Sequence, residues 1–335
     1  MPIIQVPEIS VRVMSLNMQY GAGPEDRGEM FLEEVPKKEL EHNIDSIVNL
    51  IYEVNPDIIC LQEVDRESGR TYFMDQLGEI TKRLAKKQQC DPYNAEFGSC
   101  VDFDEKKDLL SKIARPFYNR RGVKKFLDRR GFHTDSVPKK KIRLHFGNAT
   151  MTRDKYPIRE KNHFYFIPPY WNPLMTLNIM LQRDERKSLL VCRVNYFPEI
   201  EDKIPLYVFN THFDSSNEKN RRIQSEFMYR LLNNMQDSHN IVAGDFNETS
   251  MEGSLKKFLS HPGLNLYSKI HLSLAENPEL LDYATYPSKK PSKTYDLILA
   301  SNFIEMIDYY VHTRRVADHL AVVSELKIKP NLVLR

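Results

Sequence analysis

The chain has 335 residues, with 48 Lys or Arg against 46 Asp or Glu, and is 41% hydrophobic and 28% charged, the balance of a soluble globular protein with a large core. Its opening, Met1-Pro2-Ile3-Ile4-Gln5-Val6-Pro7, lacks a basic region followed by an apolar one, and no apolar stretch approaches the ~20 residues that cross a bilayer, which argues against a secretory leader or membrane span. Cys60, Cys90, Cys100 and Cys192 form no C-x-x-C pair, which argues against a zinc site and a secreted disulfide framework. The expectation is an intracellular, cytoplasmic protein.

Along the chain, the apolar run Val11–Met14 reads as a strand that ends in Ser15-Leu16-Asn17. Leu40, Ile44, Ile47, Ile51 and Val54 recur at helical spacing and predict a helix over 37–54, leading through Asn55-Pro56 into a strand Ile58–Leu61 that ends in Gln62-Glu63-Val64. From Lys106 to Arg143 there are fourteen Lys or Arg against three Asp, so an otherwise acidic body carries one basic stretch. Residues 102–141 and Tyr283–Lys293 read as long loops or insertions. Further strand candidates are Arg143–Met151, Leu174–Leu181 and Ser188–Asn195.

The opening plan then returns. A strand Leu206–Phe209 ends in Asn210-Thr211-His212-Phe213-Asp214, Ile223, Phe227, Leu231 and Met235 space a helix, and Ile241–Ala243 ends in Gly244-Asp245-Phe246-Asn247. Tyr295-Asp296 precedes the apolar run Leu297–Leu299, Asp318-His319 follows, and Met306–Val311 and Leu320–Ile328 add strands. Many short strands with few helices predict an α/β fold, a four-layer αββα sandwich of two packed, mainly antiparallel sheets with outer helices. We expect one domain over 1–335 with a basic insertion near 102–145.

Five polar signatures in this order, with Gly147-Asn148-Ala149 and Tyr156-Pro157-Ile158 between them, resemble the endonuclease/exonuclease/phosphatase (deoxyribonuclease I-like) superfamily over Arg12 to Leu326. The resemblance implies a metal-dependent phosphoester hydrolase. Glu63 and Asp318 would be oxygen ligands of Mg²⁺ or Mn²⁺, with Asn17 as a neutral ligand or its partner. Asp245 would orient or deprotonate the attacking water, and Asn247, two residues on along an extended segment, would bond the phosphate or that water. His319 would contact phosphate or move a proton, with Asp296 fixing its tautomer. His212 would protonate the leaving oxygen or clamp the phosphate, and Asn148 would contact substrate. Arg221 and Gln224, spaced R-x-x-Q, read better as a capped helix start.

The departures are few. The run Trp-Cys-Asp-Arg expected of inositol 5-phosphatases is missing, Ser-Leu-Asn-Met replaces a Trp-Asn opening, and Met151-Thr152-Arg153 replaces Leu-Ser-Arg. The leading expectation is a nuclease-like phosphodiesterase whose basic stretch tracks the phosphates of a nucleic acid. The alternative is a phosphoesterase for anionic lipid or inositol phosphate, with the same stretch against a membrane surface; its aromatic residues, Phe117, Tyr118, Phe126 and Phe132, would serve either role. A non-catalytic binding module is the third reading. Residue types leave the oligomeric state open.

Overall fold

The computed structural model describes residues 8–25, 33–89, 93–104, 106, 142–166, 187–196, 205–249, 253–259, 266–267 and 283–328. Most of the basic insertion and the expected strand Leu174–Leu181 lie outside these residues. Two six-stranded sheets pack face to face. The first runs β11 (Ile304–Val311), β12 (Val322–Ile328), β1 (Ile9–Asn17), β2 (Ile58–Asp65), β4 (Arg143–Thr152), β3 (Asn94–Asp104). The second runs β5 (Ile158–Tyr165), β6 (Ser188–Val194), β7 (Leu206–His212), β8 (His239–Asp245), β10 (Asp296–Ser301), β9 (Leu266–Tyr267). Helices α1 (Lys37–Val54), α2 (Gln76–Gln88), α3 (Glu218–Asn233) and α4 (Gly253–Leu259) complete the predicted αββα sandwich.

Each sheet has a parallel pair at its centre, β1 with β2 and β7 with β8, bridged by α1 and α3 respectively; all other neighbours are antiparallel. A parallel pair needs such a crossover, and the strand–helix–strand unit read twice in the sequence supplies it. The sheets share an apolar interior from strand residues such as Val13, Cys60, Val191, Phe209, Val242 and Ile298, while α1 seals the outer face of the first sheet with Leu40, Ile44, Ile47 and Ile51. Cys60, Cys100 and Cys192 are buried free thiols, as small hydrophobes would be. Among the described residues, no helix is long and apolar enough to cross a membrane.

The helix expected from Ile223, Phe227, Leu231 and Met235 is α3, but its most buried face is one position on, at Gln224, Ser225, Met228 and Leu232. Ile223 is 44% exposed. The apolar line marks one edge of the contact because Gln224 turns inward to accept from the Asp214 N–H at 2.9 Å, while Arg221 donates to the Asp214 carbonyl at 3.1 Å. Both side chains of the R-x-x-Q pair thus secure the start of the helix.

Two glycines are required by close backbone approach. A Cβ on Gly147 would stand 2.0 Å from the Gly98 carbonyl oxygen, and one on Gly244 would stand 1.9 Å from that of Thr211. The Gly in Gly-Asp-Phe-Asn is therefore what lets β8 lie against β7 at the level of the polar signatures.

Beyond Glu63 the chain is pinned by a buried ion pair. Arg70 donates to both Asp65 oxygens, at 2.9 and 2.8 Å, while its guanidinium lies 3.6 Å from the centre of the Tyr20 ring and Thr71 adds a hydroxyl bond to Asp65. Asp65→Ala would strand the guanidinium without its anion, and we expect it to cost about 3–5 kcal/mol in denaturant unfolding. A loss under 1 kcal/mol would mean that the other groups around Arg70, Tyr20 and the Glu63 charge among them, hold it without Asp65.

Candidate active site

The polar signatures converge at the carboxyl ends of the two parallel pairs. Asn17 is the last residue of β1, His212 of β7 and Asp245 of β8; Asp296, the first residue of β10, pairs in register with Asp245. Glu63 projects from a bulge. The β2–β4 register passes from Leu61 opposite Ala149 to Val64 opposite Gly147, so Gln62 and Glu63 together face Asn148, and Glu63 takes a left-handed φ of 54°. A bulge re-aims a side chain, and a non-glycine residue held at positive φ costs on the order of 1–3 kcal/mol. Glu63 was expected just past its strand, but β2 continues to Asp65.

Asp245 is the hub. Its Oδ1 accepts from the Asn247 N–H at 2.8 Å, closing a turn, while its Oδ2 accepts from Asn17 Nδ2 at 3.0 Å and lies 3.5 Å from His212 Nε2 and 3.7 Å from His319 Nε2. Asn17 Nδ2 also donates to Glu63 Oε1 at 3.3 Å, so one amide ties the carboxylates of both sheets together. His319 Nδ1 meets Asp296 Oδ2 at 2.7 Å. Asp318 is next in the chain, close enough for its charge to act on His319, and its carbonyl accepts from the Ser288 N–H at 2.6 Å.

The electrostatics separate the two histidines. Burial disfavours charge on His319, but the Asp296 and Asp245 carboxylates outweigh it and hold the imidazolium well above the usual histidine range. His212 is driven the other way, by burial first, then by Lys187 and His319. It is therefore a neutral ring, and its approaches to Glu63 and Asp245 are not ion pairs. Burial, followed by the Asp296 charge, pushes Asp245 up to about 6 against the pull of His319 and Asn17.

Asp245, Asp296 and His319 offer ligand atoms within 4.8 Å of one another, a spacing that could hold a metal ion. A protonated imidazole has no lone pair to give, so in its favoured state this trio suits proton handling. The wider donor set, in which the carboxylates of Glu63, Asp245, Asp296 and Asp318 supply hard oxygen atoms, fits a hard divalent cation.

Asn17, Glu63, His212, Asp245, Asp296 and His319 thus come together, and the charge of Asp318 reaches them at His319. Asn247 joins them by a different route from the one expected. The strand stops at Asp245, the Asx turn gives Asn247 a left-handed φ of 50°, and its Nδ2 donates to the Phe213 carbonyl at 2.9 Å, so it does not share a face of an extended segment. Asn148 is fully buried between the sheets. Its Nδ2 donates to the carbonyls of Ser188 at 2.9 Å and Asn210 at 3.4 Å, alongside a Gln62–Asn210 amide pair at 2.8 Å, and together these clamp the sheets below the cleft.

Sequence reading passed over two features. Lys187, immediately before β6, is only 5% exposed and places Nζ 2.9 Å from His212 Nε2. The signal was a lysine abutting the apolar run Leu189–Val191, a place where burial needs a partner. Tyr286 stacks on Tyr295 with ring centres 5.6 Å apart and leans on His319 at 4.8 Å, at the start of a hairpin bearing Lys289, Lys290 and Lys293.

Residues 14–319 match the model of the Endonuclease/Exonuclease/phosphatase family. No curated protein matches the chain. Among solved structures, it is similar to an endonuclease/exonuclease/phosphatase family protein of Bacteroides thetaiotaomicron, at 14% identity over 96% of this chain and 99% of that one, with a TM-score of 0.61. It is similar to the human Nocturnin catalytic domain with bound sulfate, at 18% identity over 96% of each chain and a TM-score of 0.59. The mannosyl-6-phosphatase of Bacteroides thetaiotaomicron is 15% identical over 94% of this chain and 99% of that one, with a TM-score of 0.58. At these identities the likeness is one of fold. The family match, running across the strand ends from Asn17 to His319, is the stronger finding, and by it the chain belongs to the endonuclease/exonuclease/phosphatase family.

Proposed function

We propose that the chain is an intracellular, Mg²⁺- or Mn²⁺-dependent phosphodiesterase acting on nucleic acid. The observation that carries the reading is the single oxygen Asp245 Oδ2, approached together by Asn17, His212 and His319 between two sheets. Glu63, Asp318 and Asn17 would hold the ion, which when bound would neutralise phosphate oxygens and the departing alkoxide. Asp245 Oδ2 orients the attacking water and takes its proton, a role suited to a carboxylate raised toward neutrality. Asn17 fixes that oxygen, and the Asn247 turn fixes the other. His319, held by Asp296, presents Nε2–H to a phosphoryl oxygen. Asn148 keeps β4 registered behind these groups.

The preference for nucleic acid draws on the Tyr286–Tyr295 stack, an aromatic surface beside His319 with lysines on its hairpin, of the kind that receives a base and its phosphate. A lipid substrate has its own support in Tyr72 and Phe73, which are 42% and 62% exposed on the loop after β2. Plasmid, single-stranded DNA, RNA, a phospholipid diester, inositol phosphates and a sugar 6-phosphate, each with Mg²⁺ and with chelator, test the choice. We expect cleavage of a nucleic acid that falls to background with chelator. Turnover of lipid or a monoester alone would reassign the substrate, and no turnover of any would leave a binding module.

A further inference from the structure

We propose that Lys187 is a phosphate-contacting catalytic residue of this site. The inference rests on the phosphoester reading above and adds a group outside the polar signatures. The placement of Lys187 is built rather than incidental. Its carbonyl accepts from the Phe166 N–H at 3.4 Å, Phe166 packs edge-on against Phe213, and Phe213 follows His212 in the chain, so one aromatic contact couples the lysine backbone to the end of β7. From there Nζ reaches 2.9 Å from His212 Nε2 and 3.3 Å from Nδ1.

An ammonium donates and never accepts. Nζ is close to both ring nitrogens at once, so the ammonium lies against the imidazole as a whole and not on one lone pair. His212 Nε2 in turn lies 3.5 Å from Asp245 Oδ2 and 3.8 Å from Glu63 Oε1, so the lysine charge stands beside the groups proposed to hold water and ion. A buried cation in that place is costly to desolvate, and the nearby carboxylates offset that cost. A substrate phosphate brings acceptor oxygens to the same point, where an ammonium is a strong, charge-assisted partner.

Lys187→Met keeps the chain length and removes the charge; Lys187→Arg keeps the charge. Two measurements are made on each variant with Mg²⁺: kcat and KM on the best substrate of the panel, and calorimetric binding of inorganic phosphate, with a thermal melt as the folding control. We expect K187M to lower kcat/KM about 100-fold or more, mainly in kcat, and to weaken phosphate binding about tenfold or more, with K187R recovering part of both. A folded K187M that turns over and binds phosphate as the wild type does overturns the role of Lys187 while the phosphoesterase reading stands. If K187M is unfolded, K187R decides, since equal losses in the folded arginine variant would show that shape and not charge matters. A wild type that neither hydrolyses an ester nor binds phosphate removes both readings.

Discussion

Asp245→Asn is expected to lower kcat by about three orders of magnitude while leaving the fold intact, as befits loss of the proposed general base. Asparagine keeps an oxygen where Oδ1 accepts the Asn247 N–H, so the turn survives. Its amide nitrogen then replaces Oδ2, the atom that Asn17 donates to and that both histidines approach. Two amide donors would oppose each other there, and no carboxylate would remain to take a proton. Because the substitution also removes a carboxylate that burial raises toward neutrality, the melting temperature of the metal-free protein is expected to rise, the familiar exchange of stability for activity. Single-turnover kinetics and a thermal melt measure both effects. Retention of wild-type kcat would place the base elsewhere.

The second large effect concerns His319 and Asp296 as a unit. His319→Gln and Asp296→Asn are each expected to reduce kcat/KM by about 100-fold or more, and the double variant to be scarcely worse than H319Q alone. The reason is geometric. Asp296 Oδ2 is 2.7 Å from His319 Nδ1, so once the ring is gone this bond to Asp296 has nothing to orient. A double-mutant cycle on kcat/KM reads the coupling directly. Losses that multiply would mean that Asp296 acts on its neighbour Asp245, to which it is matched across β8 and β10, as much as on His319.

The fold was legible where polarity changes abruptly. Runs such as Ile58–Leu61 and Ile241–Ala243 end in amides and carboxylates, and those ends are what the two sheets bring together. Three elements carried weaker signals: α2 buries only Leu77, Ile80 and Leu84 among its apolar residues; β3 is interrupted by Gly98; and β5 is largely polar and exposed. Single residues were misplaced where backbone geometry overrides pattern. The left-handed φ of Glu63 and the Asx turn at Asn247 follow from a bulge and a cap, which spacing does not encode. The inward role of Asn148 needs the partner sheet, and Lys187 needs His212; both contacts join strands far apart in sequence.

The two sheets also have a matching order of neighbours: an antiparallel strand beside the first member of each parallel pair, another beside the second. Under that correspondence Asn17 is the counterpart of His212, and the end of β2 that carries Glu63 is the counterpart of the end of β8 that carries Asp245. Neither half of the polypeptide owns the chemistry. A change that slides one sheet over the other by a fraction of an ångström would separate Asp245 from Glu63 while every helix and strand kept its shape, and inactivation without unfolding is the failure to look for in variants of the amide seam at Gln62 and Asn210.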